Sequence, residues 1–93
     1  MRIQWKRYDR RLPIELDVDC EPQYLYKLIV RLVGGSVEGI AIPPRGRMVL
    51  VRMEDGHIML PGAPNAEATA MIGLQVCGDC VILDKDSWEQ ARA

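Results

Sequence analysis

Residues 12–20 alternate between apolar and polar side chains with a period of two. The apolar positions are Leu12, Ile14, Leu16, Val18 and Cys20, and Glu15, Asp17 and Asp19 lie between them. This period is typical of a β-strand with one buried face and one acidic, wet face. Residues 2–8 predict a preceding strand with Ile3 and Trp5 on one face, and Arg10-Arg11 would connect the two strands as a hairpin.

Residues 22–33 fit two patterns. In a helix, the apolar side chains that share one face would be Leu25, Leu28, Ile29, Leu32 and Val33. Pro22 suits a first helical position, and Gly34-Gly35 suits a C-terminal stop. In a strand, alternate residues from Tyr24 to Leu32 would form an unbroken apolar face, in agreement with the β-branched and aromatic content. Capping and the glycine stop favour the helix, and the strand stays open as the alternative.

Turn residues divide the rest of the chain. Strands are predicted over 37–42, 47–53, 57–60, 74–76 and 80–83, with Asp55-Gly56 as a hairpin turn. Asn65 would cap a short helix at about 66–72, and Asp86 or Ser87 would cap another at about 87–92. Together these elements predict an α+β domain. It has a small, mainly antiparallel sheet, one longer helix (about 22–33) and two short helices. The alternative is an all-β, barrel-like domain, which requires residues 22–33 to be a strand.

Composition indicates a single globular domain over residues 1–93. The chain is 48 % hydrophobic and 27 % charged, which are ordinary proportions for a folded protein. Its formal net charge is −1, so no overall field draws it to nucleic acid or to an acidic membrane. The sequence lacks an apolar run of membrane-spanning length and a signal peptide, and its three cysteines are an odd number. These features predict a reducing, cytoplasmic location without membrane contact.

Positive charge is concentrated near the start of the chain. Five of the six charged residues among positions 1–11 are basic, and two aromatic residues lie between them. The candidate nucleic-acid-binding residues are Arg2, Trp5, Lys6, Arg7, Tyr8, Arg10 and Arg11. Cations neutralise phosphates and aromatic rings stack on bases, so the pattern supports nucleic-acid binding as an alternative function. A basic edge strand that discourages aggregation would give the same pattern.

The segment Cys77-Gly78-Asp79-Cys80 has a spacing that can hold a metal or cycle through a disulfide. It resembles the Cys-Gly-Pro-Cys of thioredoxin-like proteins, with Asp79 in place of the proline, and this resemblance implies a redox role. A zinc site would need all four candidate ligands: Cys20, His57, Cys77 and Cys80. Strand-forming residues on both sides favour a third interpretation. Gly78-Asp79 is then a type II′ hairpin turn, with reduced cysteines and no metal or cofactor.

Groups for acid–base or nucleophilic catalysis are few, because the chain has one histidine and two serines. The sequence therefore leans against an enzyme, and no catalytic residue is assigned. The favoured function is a small interaction protein that binds a protein partner or itself, as a homodimer. Methionines suit adaptable contact surfaces, and Met48, Met53, Met59 and Met71 cluster in the second half of the chain. The basic first strand and the acidic second strand could pair between two subunits.

Overall fold

The structure, a computed structural model, describes residues 1–9, 12–42, 46–54, 57–58, 65–66, 69–70, 73 and 78–93, with only the backbone at 53–54 and 57–58. The strands are β1 (Arg2–Lys6), β2 (Ile14–Asp17), β3 (Val37–Ile42), β4 (Arg47–Glu54), β5 (His57–Ile58) and β6 (Cys80–Asp84). The helices are α1 (Pro22–Val33) and α2 (Lys85–Arg92). Within these ranges, no helix is both long and apolar enough to cross a membrane.

The strands form an open antiparallel sheet in the order β2-β1-β6-β4-β3, and the short β5 pairs with the end of β4. β1 pairs with β2 from Arg2 opposite Asp17 to Trp5 opposite Ile14, which confirms the first predicted hairpin. This pairing lies within one chain, and β1 has β6 on its other side. The predicted pairing of β1 with β2 between subunits is therefore wrong.

Helix α1 forms because local signals and long-range burial agree. Pro22 occupies the start of the helix, and Gly34 ends it in the left-handed conformation at φ 92°. The Gly34 N–H donates to the Val30 carbonyl at 2.8 Å, which satisfies one of the last carbonyls of the helix. Leu25, Ile29 and Val33, spaced four residues apart, are buried against the sheet. The helical interpretation of residues 22–33 is confirmed, and the barrel-like alternative, which required a strand there, is wrong.

Alternation along the strands divides the core between the two faces of the sheet. Both helices cover one face, where the buried cluster is Ile3, Leu25, Ile29, Val33, Met48, Leu50, Val81, Leu83, Trp88 and Ala91. The opposite face carries Ile42, Val49, Val51, Cys80 and Ile82. Successive residues of β4 and β6 go to opposite faces, as the strand period requires. These two strands are buried on both faces, which explains their continuous apolar runs.

The prediction of one longer and two short helices is wrong, because α1 and α2 are the two helices whose bounds lie in the described residues. Of the predicted helix over 66–72, residues 66, 69 and 70 are described and helical, and residues 67, 68, 71 and 72 lie outside the described residues. Its expected cap, Asn65, is buried, and its side-chain amide donates to the carbonyls of Lys6 at 3.1 Å and Gly78 at 3.0 Å. Local capping signals did not reveal this long-range role. The last helix exists, but it begins earlier than predicted because Asp84 is its cap and accepts from the Ser87 N–H at 2.9 Å.

Candidate binding site

Within the part of the chain that the structure describes, one edge of the sheet is open to another chain. β3 has β4 on one side, and no described strand pairs with its other side. The backbone N–H and C=O groups that point outward from such an edge can pair with a further strand. β3 is six residues long, and Glu38 is its single charged residue. A long edge strand with little charge has little protection against strand addition.

The opposite edge of the sheet, β2, is shorter and more strongly charged. β2 has four residues, and Glu15 and Asp17 alternate with its apolar side chains. Arg2 pairs with Glu15 across the hairpin at 3.4 Å. Beyond β2, the Val18 N–H donates to the Met1 carbonyl at 2.7 Å. Short length and dense charge are features that keep natural sheet edges from pairing with other chains. The two edges therefore differ, and β3 is the one suited to binding.

A cavity of about 250 Å³ lies beside the open edge, between β3 and the end of α2. Its lining residues come from α1, β3 and α2, and they are Tyr26, Val37, Glu38, Gly39, Trp88 and Arg92. The rings of Tyr26 and Trp88 are stacked, with centroids 5.8 Å apart and planes 11° apart. This stack joins the two helices at the cavity and holds the Trp88 ring in one orientation.

Gly39 allows the Trp88 ring to lie directly against β3. A Cβ atom at Gly39 would be 2.8 Å from Trp88 Nε1 and 2.7 Å from Met48 Cε. Contacts this short do not occur in folded proteins without a shift of the neighbouring atoms. A glycine inside a strand often marks such a close approach, and here it fixes the distance between the edge strand and α2.

The indole N–H of Trp88 is a buried donor without an acceptor among the described residues. Trp88 is 3 % exposed, so water has little access to it. By contrast, Trp5 Nε1 donates to the Leu32 carbonyl at 3.2 Å. A buried donor left unsatisfied costs about 1–3 kcal/mol, and folded proteins contain few of them. The side chain of Arg92, which lines the same cavity, forms no hydrogen bond or ion pair with any described residue.

The candidate nucleic-acid-binding residues of β1 are engaged within the protein. Lys6 is 1 % exposed, and its Nζ donates to the Arg7 carbonyl at 2.7 Å. Trp5 packs against the core on the helical face. The Arg7 guanidinium lies over the Trp5 ring at 5.4 Å and pairs with Asp9 at 3.1 Å. These side chains would have to leave their present partners to contact phosphates or bases.

The remaining candidates of this group lie apart from one another. Tyr8 is exposed, and its backbone N–H donates to the Asp79 carboxylate at 3.0 Å. Arg2 is exposed and paired with an acidic side chain across the hairpin. Arg10 and Arg11 lie outside the described residues. Among the described residues, the first strand therefore presents no continuous surface of unpaired cations.

Cys80 is a buried residue of β6 and packs in the apolar cluster opposite the helices. Burial raises its pKa to about 12, Lys6 lowers it and Asp79 raises it, and burial is the largest of the three effects. A thiol with this pKa stays protonated at neutral pH, and the protonated form is a poor nucleophile and metal ligand. β6 lies between β1 and β4, so Cys80 belongs to an interior strand.

The other candidate metal ligands are not brought together within the described part of the chain. Cys20 is exposed beyond the end of β2. Cys77 and the side chain of His57 lie outside the described residues. Where side chains are described, no group of three or more His, Cys, Asp or Glu residues could hold a metal ion. Gly78 has a positive φ of 82°, but β1 and β4 pair with the two sides of β6, so the predicted hairpin of residues 74–76 with 80–83 is wrong.

Sequence patterns drew attention to methionine and cysteine, whereas the site is built around tryptophan and glycine. Met48 lies in the core, and the side chains of the other three clustered methionines fall outside the described residues. The available signal for the site was Gly39, a glycine inside a predicted strand that is apolar except for Glu38. Trp88 gave a second signal, as the large apolar residue of a short polar helix.

No protein-family model, curated protein or solved structure matches the chain. The open edge of β3 and the cavity beside it therefore carry the functional argument. Both rest on described residues, and both concern binding.

Proposed function

We propose that the protein is a non-enzymatic interaction module that self-associates by pairing β3 of one copy with β3 of a second copy. The observation that supports this is the open edge of Val37–Ile42 at the end of the sheet. Backbone hydrogen bonds between two such edges would extend one sheet through both molecules. Each copy would use the same surface, as a two-fold dimer requires.

The side chains of β3 suit antiparallel pairing with a copy of itself. A two-fold axis at Ile40 would place Ile40 opposite its counterpart and Glu38 opposite the second copy's Ile42. Residues directly opposite each other in a sheet share a face, and Glu38, Ile40 and Ile42 alternate onto the same face of β3. This register joins apolar side chains and keeps the two Glu38 carboxylates apart.

The overall charge of the protein does not oppose self-association. Its formal net charge is −1, so two copies experience little mutual repulsion. A net charge near zero favours association of proteins in general. Because strand addition along six residues buries a small area, a weak dimer in the micromolar range is expected.

The test compares one substitution on β3 with the same substitution elsewhere. Ala41→Lys places a charge on the exposed part of β3, and lysine is a residue that protects natural edges. Ala66→Lys is the matched control, because Ala66 is also exposed and its neighbour Asn65 contacts β1 and β6 rather than β3. Sedimentation equilibrium over about a hundredfold range of protein concentration measures the dimer fraction of each variant.

We expect wild-type protein and Ala66→Lys to dimerise with the same dissociation constant. Ala41→Lys should raise that constant about tenfold or more. Hydrogen exchange at high and low concentration adds a second measurement, because outward-facing amides of β3 should gain protection on association and those of β2 should not. A wild-type protein that stays monomeric, or an Ala41→Lys variant that dimerises normally, would refute the proposal.

A further inference from the structure

We propose that the outer face of α1 binds single-stranded nucleic acid, with the Tyr24 ring as a stacking surface for a base and Lys27 and Arg31 as the phosphate contacts. Self-association through β3 neither requires nor predicts this site. The inference rests on three features of α1. They are an open groove, an exposed aromatic ring beside a cation, and a helix whose charged residues are all basic.

A groove of about 610 Å³ lies on the outer side of α1. Leu25 and Ile29 are buried against the sheet, and a period of 3.6 residues places Lys27 and Arg31 on the opposite side of the helix. Tyr24 is 54 % exposed, so a ligand reaches its ring from solvent. The described residues that line the groove are Tyr24, Tyr26, Lys27, Leu28, Val30 and Arg31.

A cation and an aromatic ring meet within this groove. Lys27 Nζ lies 5.8 Å from the centroid of the Tyr24 ring. Arg31 follows Lys27 by four residues, so the helix places both side chains in one row, about 6 Å apart along its axis. Both are exposed, and neither forms a hydrogen bond or ion pair with a described residue. The two cations are therefore accessible beside the ring.

The charge of α1 identifies the ligand as an anion. Lys27 and Arg31 are the charged residues of the helix, and both are basic. Like charges four residues apart destabilise a helix, and an anion bound between them removes that repulsion. The formal net charge of the protein is −1, so the attraction is local to this face and does not come from the whole molecule.

The exposed ring favours single-stranded nucleic acid among anions. Unpaired bases stack on aromatic rings while their phosphates contact nearby cations, whereas a duplex keeps its base faces covered. Helices that bind an anionic membrane insert an apolar face, and the apolar face of α1 is buried against the sheet. An acidic polypeptide would complement the cations but leave the ring of Tyr24 without a stacking partner.

The experiment measures binding of a fluorescein-labelled thymidine oligonucleotide of about 12 nucleotides to the intact protein by fluorescence anisotropy. We expect a dissociation constant of about 1–100 µM at low salt. Each phosphate contact on a single strand contributes about −0.7 to the slope of log affinity against log salt concentration, so two cations predict a slope of about −1.4. Thymidine monophosphate, a duplex of the same length and a glutamate peptide of the same charge should each compete less well than unlabelled oligonucleotide.

Variants assign the contacts. Lys27→Gln and Arg31→Gln should each reduce the slope to about −0.7, and Lys27→Arg should retain the wild-type slope. Tyr24→Leu should weaken binding about fivefold or more without changing the slope, because it removes stacking and leaves the charges in place. Arg2→Gln and Tyr8→Leu are the matched controls, since both residues are exposed and lie on or beside β1. Neither control should change the affinity or the slope.

Three results would overturn the proposal. They are an oligonucleotide that does not bind at low salt, equal weakening by the α1 and control substitutions, and a monophosphate, duplex or glutamate peptide that competes as well as the oligonucleotide. The failure of this site is distinguishable from the failure of self-association. Sedimentation without nucleic acid reports on β3 pairing, and anisotropy reports on α1.

Discussion

Replacing Gly39 with alanine tests whether the backbone of β3 supports the Trp88 ring directly. The added carbon would lie 2.7 Å from Met48 Cε, 2.8 Å from Trp88 Nε1 and 3.2 Å from Leu50 Cδ2. Met48 can move away because methionine has a flexible end. The Trp88 ring has less freedom, because it is buried and stacked on Tyr26. The methyl group must therefore displace either the ring or the strand.

Two effects set the expected change in the free energy of unfolding. Overpacking of the folded core lowers it, and restriction of the unfolded chain by alanine raises it by a smaller amount. Forcing an extra carbon into a packed core costs about 1–3 kcal/mol. Alanine also restricts the unfolded chain, which stabilises the protein by about 0.4–1 kcal/mol. The net loss in the free energy of unfolding should be about 1–2 kcal/mol. In a domain of this size, that loss lowers Tm by about 5–15 °C.

Gly35→Ala is the matched control. A Cβ atom at Gly35 would approach Arg52 Nε at 2.9 Å, but that atom belongs to the far end of a long side chain and can rotate away. Its stability should be unchanged or slightly raised. Urea unfolding followed by circular dichroism measures both variants. If Gly39→Ala is as stable as Gly35→Ala, the close packing of Trp88 on β3 is wrong.

Two further predictions concern β6 and the helix that follows it. Asp84→Ala should lower the free energy of unfolding by about 1 kcal/mol in urea titrations, because it removes the cap of α2, whereas Asp86→Ala should have less effect. Burial alone would raise the pKa of Asp84, but hydrogen bonds from the Ser87 N–H and hydroxyl hold it below its usual value. The cap's stabilisation is therefore present above the unfolded pKa of about 3.9 and lost as pH falls, so wild type and Asp84→Ala should converge in acid. Burial raises the pKa of Cys80 from 9.0 to about 12, so stability should fall above about pH 9 as the unfolded thiol loses its proton. Cys80→Ala should show a smaller alkaline fall in thermal unfolding experiments, and an identical fall would contradict the burial of this thiol.

The elements that sequence predicted well are those in which independent local signals coincide. For α1, the period of the apolar residues, Pro22 at the start and Gly34 at the end all indicated a helix, and burial of Leu25 and Ile29 agrees with them. For β1 and β2, the alternation of side chains indicated a half-buried hairpin. In both cases, contacts between residues close in the chain decide the local structure.

The position of β6 depends on long-range pairing, so sequence could not place it. Its residues indicated a strand, but they did not indicate that β1 and β4 would flank it. That position buries Cys80 and raises its pKa, which removes the chemistry that its spacing from Cys77 suggested. The sequence predicted Lys6 as a nucleic-acid-binding residue, yet it is buried near Cys80 and Asn65. Segments distant in the sequence bury these polar groups, so the neighbouring residues contain no pattern that predicts the burial.

The outer side of β3 pairs with no described strand, and this affects how tightly a partner can bind there. A ligand that displaces an internal hydrogen bond gains little, because one bond replaces another. Along the outer side of β3, no described strand would have to be displaced. β3 is already held by pairing with β4 from Val37 to Ile42, so little ordering is needed on binding. Each hydrogen bond that a partner makes along this edge therefore adds to binding with little internal loss.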